Sequence, residues 1–182
     1  VRLEPLTLDH VPDLFSASDP VIWKYMLYGD ITSEKDMENW VRDMLQRDES
    51  GTDLPFAVIH LGTGKAIGAT RYLEIRPQHR GLEIGGTWYG LEYQRTGVNT
   101  ECKYLLLKHA FETLDRVRVQ FKSDSRNEKS VTAIRRIGAE PEGILRNHMI
   151  LPDGTLRHSA YFSIIDSEWP NVKKSLEEKL GY

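Results

Sequence analysis

The plainest periodic signal in the chain is a helical stripe. In "TSEKDMENWVRDMLQRDES", Met37, Trp40, Val41, Met44 and Leu45 recur at i, i+3, i+4, i+7 and i+8, which predicts an amphipathic helix stopped by Gly51. Upstream, "VRLEPLTL" predicts a short strand. Asp9 then offers an N-cap to a brief helix carrying Val11, Leu14 and Phe15, and "DPVIWKYM" predicts a further helical turn or two. From Leu54 the period falls to two. "LPFAVIHL" and "KAIGATRYLEI" flank Gly62 to Gly64 as a hairpin, and "LEIGGTWYG" predicts a third strand of this group after the polar break "RPQHRG".

The second half alternates differently. A polar loop, "EYQRTGVNTE", leads into an apolar helix predicted from about Thr100 to Leu114, and "RVRVQFK" follows as an alternating strand. A helix between two strands predicts that they lie parallel. The next helix has Ser125 and Glu128 at capping-box spacing, Val131, Ile134 and Ile137 inward, and Gly138 as its stop. "GILRNHMIL" and "LRHSAYFSII" predict a second hairpin around "PDG", and "SEWPNVKKSLEEKL" a last helix. With no linker, repeat or low-complexity segment, the order predicts one α+β (mixed α/β) domain over 1–182, neither a doubly wound dinucleotide fold nor a barrel.

Composition changes this picture little. At 182 residues the chain is long enough for a substantial core. Lys+Arg 24 against Asp+Glu 27 argues against a nucleic-acid footprint, which needs a basic excess. The one cysteine, Cys102, sits in the apolar helix as a packed thiol and excludes a cysteine-rich zinc site. No apolar run of membrane-spanning length or signal-peptide pattern is present, so a cytoplasmic setting without membrane contact is the expectation.

The candidate chemistry lies in the loop before the apolar helix. A strand, a tight turn and a helix N-terminus leave backbone N–H groups free to hold an anion. Gly97 permits a positive φ or close ligand approach, and Asn99 tolerates the left-handed region or caps a helix. Glu101 works modestly against a bound phosphate. Taken alone the loop reads equally as a plain connection, since it contains neither a Gly-Lys-Ser/Thr nor a GxGxxG motif.

The order of motifs settles what the loop leaves open. Gln94-Arg95-Thr96-Gly97-Val98-Asn99 resembles the Gln/Arg-x-x-Gly-x-Gly/Ala pyrophosphate motif of the GNAT superfamily of N-acetyltransferases. Asn127, Ser130 and Gly138 match its next signature of an Asn, a small residue three on and a Gly eleven on. "EIGGTWYG" and "LRNHMILPDGTLRHSAYFSII" resemble the strand before the loop and the closing hairpin of the branch that includes ribosomal-protein N-terminal acetyltransferases. The resemblance spans nearly the whole chain. It implies a central mixed, mostly antiparallel sheet of about seven strands with a splayed parallel pair and helices on both faces.

It also implies acetyl-CoA as cosubstrate, with no metal. The pantetheine arm would lie where the strand holding Trp88 and Tyr89 splays from the strand of Val117 to Phe121, and Gln94, Arg95, Thr96, Gly97, Val98, Asn99 and Thr100 would hold the pyrophosphate. Asn127 and Ser130 would lie near the pantetheine. For the general base, strand alternation puts Leu82, Ile84, Gly86 and Trp88 on one face and Glu83, Gly85, Thr87 and Tyr89 on the other. Glu83, beside small residues and acting through water, is the candidate. The family's usual tyrosine acid falls at Ile134, so Ser130, water or Tyr161 is left to protonate the thiolate. His109, His148 and His158 read as ordinary side chains. Trp23, Tyr25 and Tyr28 read equally as core or as an acceptor-pocket wall.

The expected activity is therefore acetyl transfer to a primary amine by direct attack in a ternary complex, by a monomer or homodimer. A protein N-terminal α-amino group is one acceptor. A small-molecule amine (an antibiotic or polyamine) and a non-catalytic acyl-CoA-binding module are the alternatives.

Overall fold

In the computed structural model, which describes all of residues 1–182, seven strands form one sheet in the order β1-β2-β3-β4-β5-β7-β6. They are β1 (Arg2–Pro5), β2 (Leu54–Ile59), β3 (Ala66–Arg76), β4 (Gly81–Tyr89), β5 (Arg118–Asp124), β6 (Glu140–Ile150) and β7 (Leu156–Ile165). Every neighbouring pair is antiparallel except β4 and β5, which are parallel as the intervening helix predicted. The helices are α1 (Val11–Ala17), α2 (Pro20–Trp23), α3 (Glu34–Glu49), α4 (Val98–Lys108), α5 (Glu128–Arg136) and α6 (Trp169–Leu180).

Each face of the sheet has its own core. On one face, α1 to α3 cover β2, β3 and the end of β4, through Trp23, Met37, Trp40, Val41, Met44, Ala69 and Trp88. This is the α3 stripe read from the sequence. Ser33 caps that helix, with its Oγ accepting from the Asp36 N–H at 3.1 Å and the Asp36 carboxylate returning to the Ser33 N–H at 2.8 Å. On the other face, α4, α5 and α6 pack over Leu82, Ile84, Val119, Phe121, Phe162 and Ile164. On the first face, β5 and β7 carry polar side chains, Gln120, Lys122, Asp124, Arg157, Ser159, Tyr161 and Ser163.

The structure alters the sequence reading at three local points. Helix α4 begins at Val98, earlier than expected, and changes to a π-turn over His109–Thr113. Helix α5 is capped by Asn127, whose Oδ1 accepts from the Ser130 N–H at 3.1 Å, so the Ser125–Glu128 capping box does not form. The expected alternation along β4 fails beyond Gly85. A β-bulge between the pairs Arg71↔Gly85 and Ala69↔Trp88 inserts a residue, with Gly86 at φ 56. The bulge reverses the parity of all that follows. Trp88 therefore turns to the face of α1–α3, while Thr87 and Tyr89 turn towards α4. No helix is long and apolar enough to cross a membrane.

Candidate active site

The parallel strands part almost as soon as they meet. Their pairing runs Gly81↔Arg118, Leu82↔Val119 and Glu83↔Gln120, and then stops. From Ile84 to Tyr89, β4 keeps only β3 as a neighbour, and from Phe121 to Asp124, β5 keeps only β7. A fork opens, with free backbone donors and acceptors along both inner edges. Such edges are a ready partner for an extended amide-containing chain.

Glu83 stands at the apex, 1% exposed. Its Oε2 accepts from Gln120 Nε2 at 2.9 Å, and Lys122 Nζ lies 3.3 Å from Oε1. A Cβ on Gly85 would sit 3.1 Å from Oε1, so the glycine leaves the carboxylate its space. Gln120 is itself held by Arg76, whose Nη2 donates to its Oε1 at 2.8 Å. The sequence singles out Glu83 but not Gln120, Lys122 or Arg76. The signal was present, because alternation in "RVQFKSD" sends Val119 and Phe121 to the core and Gln120, Lys122 and Asp124 to the face of Glu83.

The loop leads from β4 into the N-terminus of α4. Gln94 Nε2 donates to Tyr89 O at 3.1 Å and Thr96 Oγ1 to Tyr93 O at 2.7 Å, which fixes the turn internally. The first intrahelical bond is Glu101 N–H to Gly97 O at 2.9 Å, leaving the N–H groups of Asn99 and Thr100 without acceptors in the chain. The loop's left-handed residue is Arg95, at φ 62, and Gly97 is helical at φ -67. A Cβ on Gly97 would meet nothing within 4 Å, so only a ligand approaching the loop gives that glycine a steric reason.

Asn99 neither adopts the left-handed region nor caps. It lies inside α4, and its Oδ1 accepts from the Tyr89 hydroxyl at 3.3 Å. The side chains of Trp88, Tyr89, Val98 and Thr100 are buried, so of these residues only the backbone faces the fork or the loop opening. Trp88 packs against Trp23 and Trp40 at centroid distances of 5.2 and 6.0 Å. That aromatic cluster absorbs Trp23 into the core, whereas Tyr25 and Tyr28 stay partly exposed. A shallow 470 Å³ depression on the far side of the loop touches Thr96 and Gly97 but none of the fork residues.

The remaining candidates divide between the two faces. Asn127 spends its carbonyl on the α5 cap, and Ser130 is half-buried with its hydroxyl unpartnered. Ile134, one turn further on, is in the core. Tyr161 of β7 stands opposite Lys122 on the Glu83 face, where burial raises its pKa and keeps it a phenol. Behind β4, Lys103 of α4 is 5% exposed and donates to Thr87 Oγ1 at 2.6 Å, with Thr70 Oγ1 a further 2.8 Å away. Burial pulls the Lys103 pKa down to about 8. His148 bonds Ser159 Oγ at 3.0 Å and packs edge-on against Tyr161 at 5.7 Å, His158 accepts from the Asn147 N–H at 2.8 Å, and His109 is exposed. No cluster of three or more His, Cys, Asp or Glu side chains is disposed to hold a metal ion.

The fold as a whole matches known proteins. A solved "putative acetyltransferase" from T. thermophilus is 35% identical, with 98% of this chain and 93% of that one covered at a TM-score of 0.90. A GCN5-related N-acetyltransferase from Brucella melitensis is 31% identical, covering 97% and 80%, at 0.91. Among curated proteins, "Putative ribosomal N-acetyltransferase YdaF" of Bacillus subtilis (strain 168) is 24% identical over 173 residues, covering 94% of this chain and 92% of its own length. The family model described as an acetyltransferase (GNAT) domain matches residues 1–140. On that match the chain belongs to the GNAT acetyltransferases, a family of enzymes that transfer an acetyl group to amines.

Proposed function

We propose that this protein is an acetyl-CoA-dependent N-acetyltransferase, formed as one domain over residues 1–182, whose reaction takes place at the apex of the β4–β5 fork. The observation that carries this is the end of parallel pairing at Glu83↔Gln120. Acetyl-CoA supplies a thioester carbonyl to which the neutral acceptor amine forms a C–N bond as the C–S bond breaks; the amine gives up one proton and the thiolate gains one, so the products are the amide and CoA thiol. The chain's own groups fit that cosubstrate. The free edges of β4 and β5 would take the amides of the pantetheine arm, and the free N–H groups of Asn99 and Thr100, beside the open space over Gly97, would take the pyrophosphate.

Holding both reactants in one cleft supplies much of the rate. Backbone N–H groups beyond the apex on β4 would hold charge developing on the carbonyl oxygen. Glu83 would take the amine's proton through a water, since its own oxygens already engage Gln120 and Lys122. Ser130, on the α5 face that also carries Ile134, would return a proton to the thiolate. A thiol of pKa about 8.5 is a fair leaving group, so that proton is the smaller part of the barrier.

The acceptor we favour is an N-terminal α-amino group, because at a pKa of about 8 it needs less help from a base than lysine at about 10.4. The ribosomal name of YdaF points the same way. A small-molecule amine is the second reading, favoured by the fold likeness to a spermidine N-acetyltransferase from Vibrio cholerae, 19% identical at a TM-score of 0.71. Thiol release across a panel of N-terminal peptides, lysine side-chain peptides and small amines tests the choice. Faster turnover of the N-terminal peptides is expected, and turnover confined to small amines would overturn it.

A further inference from the structure

The cleft face holds more positive charge than acetyl transfer needs. Beside Glu83, strand alternation aims Lys122 and Asp124 of β5, and Arg157, Ser159 and Tyr161 of β7, to one side, with Lys122↔Tyr161 and Asp124↔Ser159 in register. Three carboxylates there are already engaged, Glu142 by Arg118 and the Ser163 hydroxyl, and exposed Glu74 stands near Tyr161. Glu83 has Gln120 and Lys122, and Asp124 takes Arg126 in a two-point contact at 3.0 and 2.7 Å.

Two arginines are left over. Arg157 donates Nε to Ser159 Oγ at 3.2 Å, forms no ion pair, and is 6% exposed. Its burial outweighs the attraction of Asp124 and Glu83 and lowers its pKa, a cost that a bound anion would relieve. Arg76 likewise has no carboxylate, and its Nε is buried without an acceptor. Tyr161 feels the fields of both arginines and of Glu83 and Glu74, and its hydroxyl makes no hydrogen bond in the chain. Arg157 lies four residues before Tyr161 on β7, about 13 Å of strand, with its side chain leaning back over Ser159. Ser163, opposite Gln120 at the apex, lies two residues further on, so the guanidinium is set roughly 10 Å or more from the apex.

We propose that the cleft selects acceptors carrying a carboxylate several bonds from the reacting amine, received by the Arg157 guanidinium and the Tyr161 hydroxyl within the positive field of Arg76. Planar two-point recognition of a carboxylate is what a guanidinium does best. The inference rests on the acetyl-transfer reading and adds the acceptor's chemistry to it. The carboxylate belongs either to an acidic side chain near a peptide N-terminus or to a small amino acid. The arrangement disfavours polycations, which would meet Arg76 and Arg157, neither of which has an ion-pair partner.

The test uses matched acceptors: a peptide with Glu at its second position against the same peptide with Gln, and an ω-amino acid against its primary amide, with spermidine as a polycation. Thiol release gives kcat/KM for each. In the wild type the carboxylate member of at least one pair is expected to lead by about tenfold or more, with the lead shrinking as salt rises. The leading pair identifies the source, and spermidine is slower than either carboxylate. In Arg157→Met the ratio within that pair collapses towards one, and Arg157→Lys, which keeps the charge without the fork, retains part of it. Equal kcat/KM within both wild-type pairs, or an undiminished ratio in a folded Arg157→Met, would overturn the carboxylate subsite and leave acetyl transfer standing. Binding of acetyl-CoA by calorimetry with no thiol release from any amine would overturn both.

Discussion

Replacing Lys103 by methionine should stabilise the protein at neutral pH. Lys103 is buried against Thr87 with no carboxylate partner, and burial lowers its pKa from 10.5 to about 8. At about 1.4 kcal/mol per pH unit between those values, its charged form costs the folded state about 3 kcal/mol. The sign follows from proton counts. Between about pH 8 and 10.5 the unfolded chain holds this proton and the folded chain has lost it, so wild-type stability rises with pH across that window. Below pH 8 both states are protonated and the whole cost is present. Methionine removes the charge at similar volume and forfeits one hydrogen bond worth about 1 kcal/mol, so Lys103→Met should gain about 2 kcal/mol at pH 7. Urea denaturation of both proteins at intervals from about pH 7 to 10.5 reads the difference, in which all other titrations cancel. The variant's lead should fall by about 3 kcal/mol across the series. A lead independent of pH would refute the burial argument, as would a variant less stable at pH 7.

Other expectations follow from the fork and its loop. Gly97→Trp puts its side chain into open space, so stability should change by less than about 1 kcal/mol while acetyl-CoA affinity falls at least about 100-fold by calorimetry; unchanged affinity would place the pyrophosphate elsewhere. Glu83→Gln should slow turnover by about 10²-fold or more with little effect on acetyl-CoA affinity, and a wild-type pH–rate profile would remove Glu83 as the base. Gly86→Ala forces a side chain onto φ 56 and to 2.9 Å from Arg71 Nε, and should cost about 1–3 kcal/mol in a thermal melt; a neutral result would mean that the bulge relaxes freely.

How much of this was legible depends on the range of the forces involved. The α3 stripe, both hairpins and the parallel step are written in periods of 3.6 and 2 over whole segments, and the sheet followed them. The bulge at Gly86 is not, because one inserted residue leaves composition untouched while it moves Trp88 across the sheet. Asn99 was misread for a related reason. Its local chemistry suits a turn, yet the helix started one residue before it and gave the left-handed position to Arg95. Asn127 took the cap that Ser125 and Glu128 were spaced to form, since β5 extends to Asp124 and pins the helix entry. The acceptor face was hidden longest. Arg76, Gln120, Lys122 and Arg157 lie 81 positions apart from first to last, and only the register of β3, β4, β5 and β7 brings them onto the face of Glu83.

The central claim is that acetyl-CoA occupies the β4–β5 fork with its pyrophosphate on the α4 loop. Amide hydrogen exchange with and without acetyl-CoA tests it at the atoms concerned, because the N–H groups of Asn99 and Thr100, and those of β4 that point away from β3, have no partner in the chain. Slower exchange is expected at Asn99 and Thr100 and along the free edge of β4 from Ile84 to Trp88, with the β1 edge unchanged. Binding that leaves these amides exchanging at their free rate, or protects another surface instead, would contradict the account.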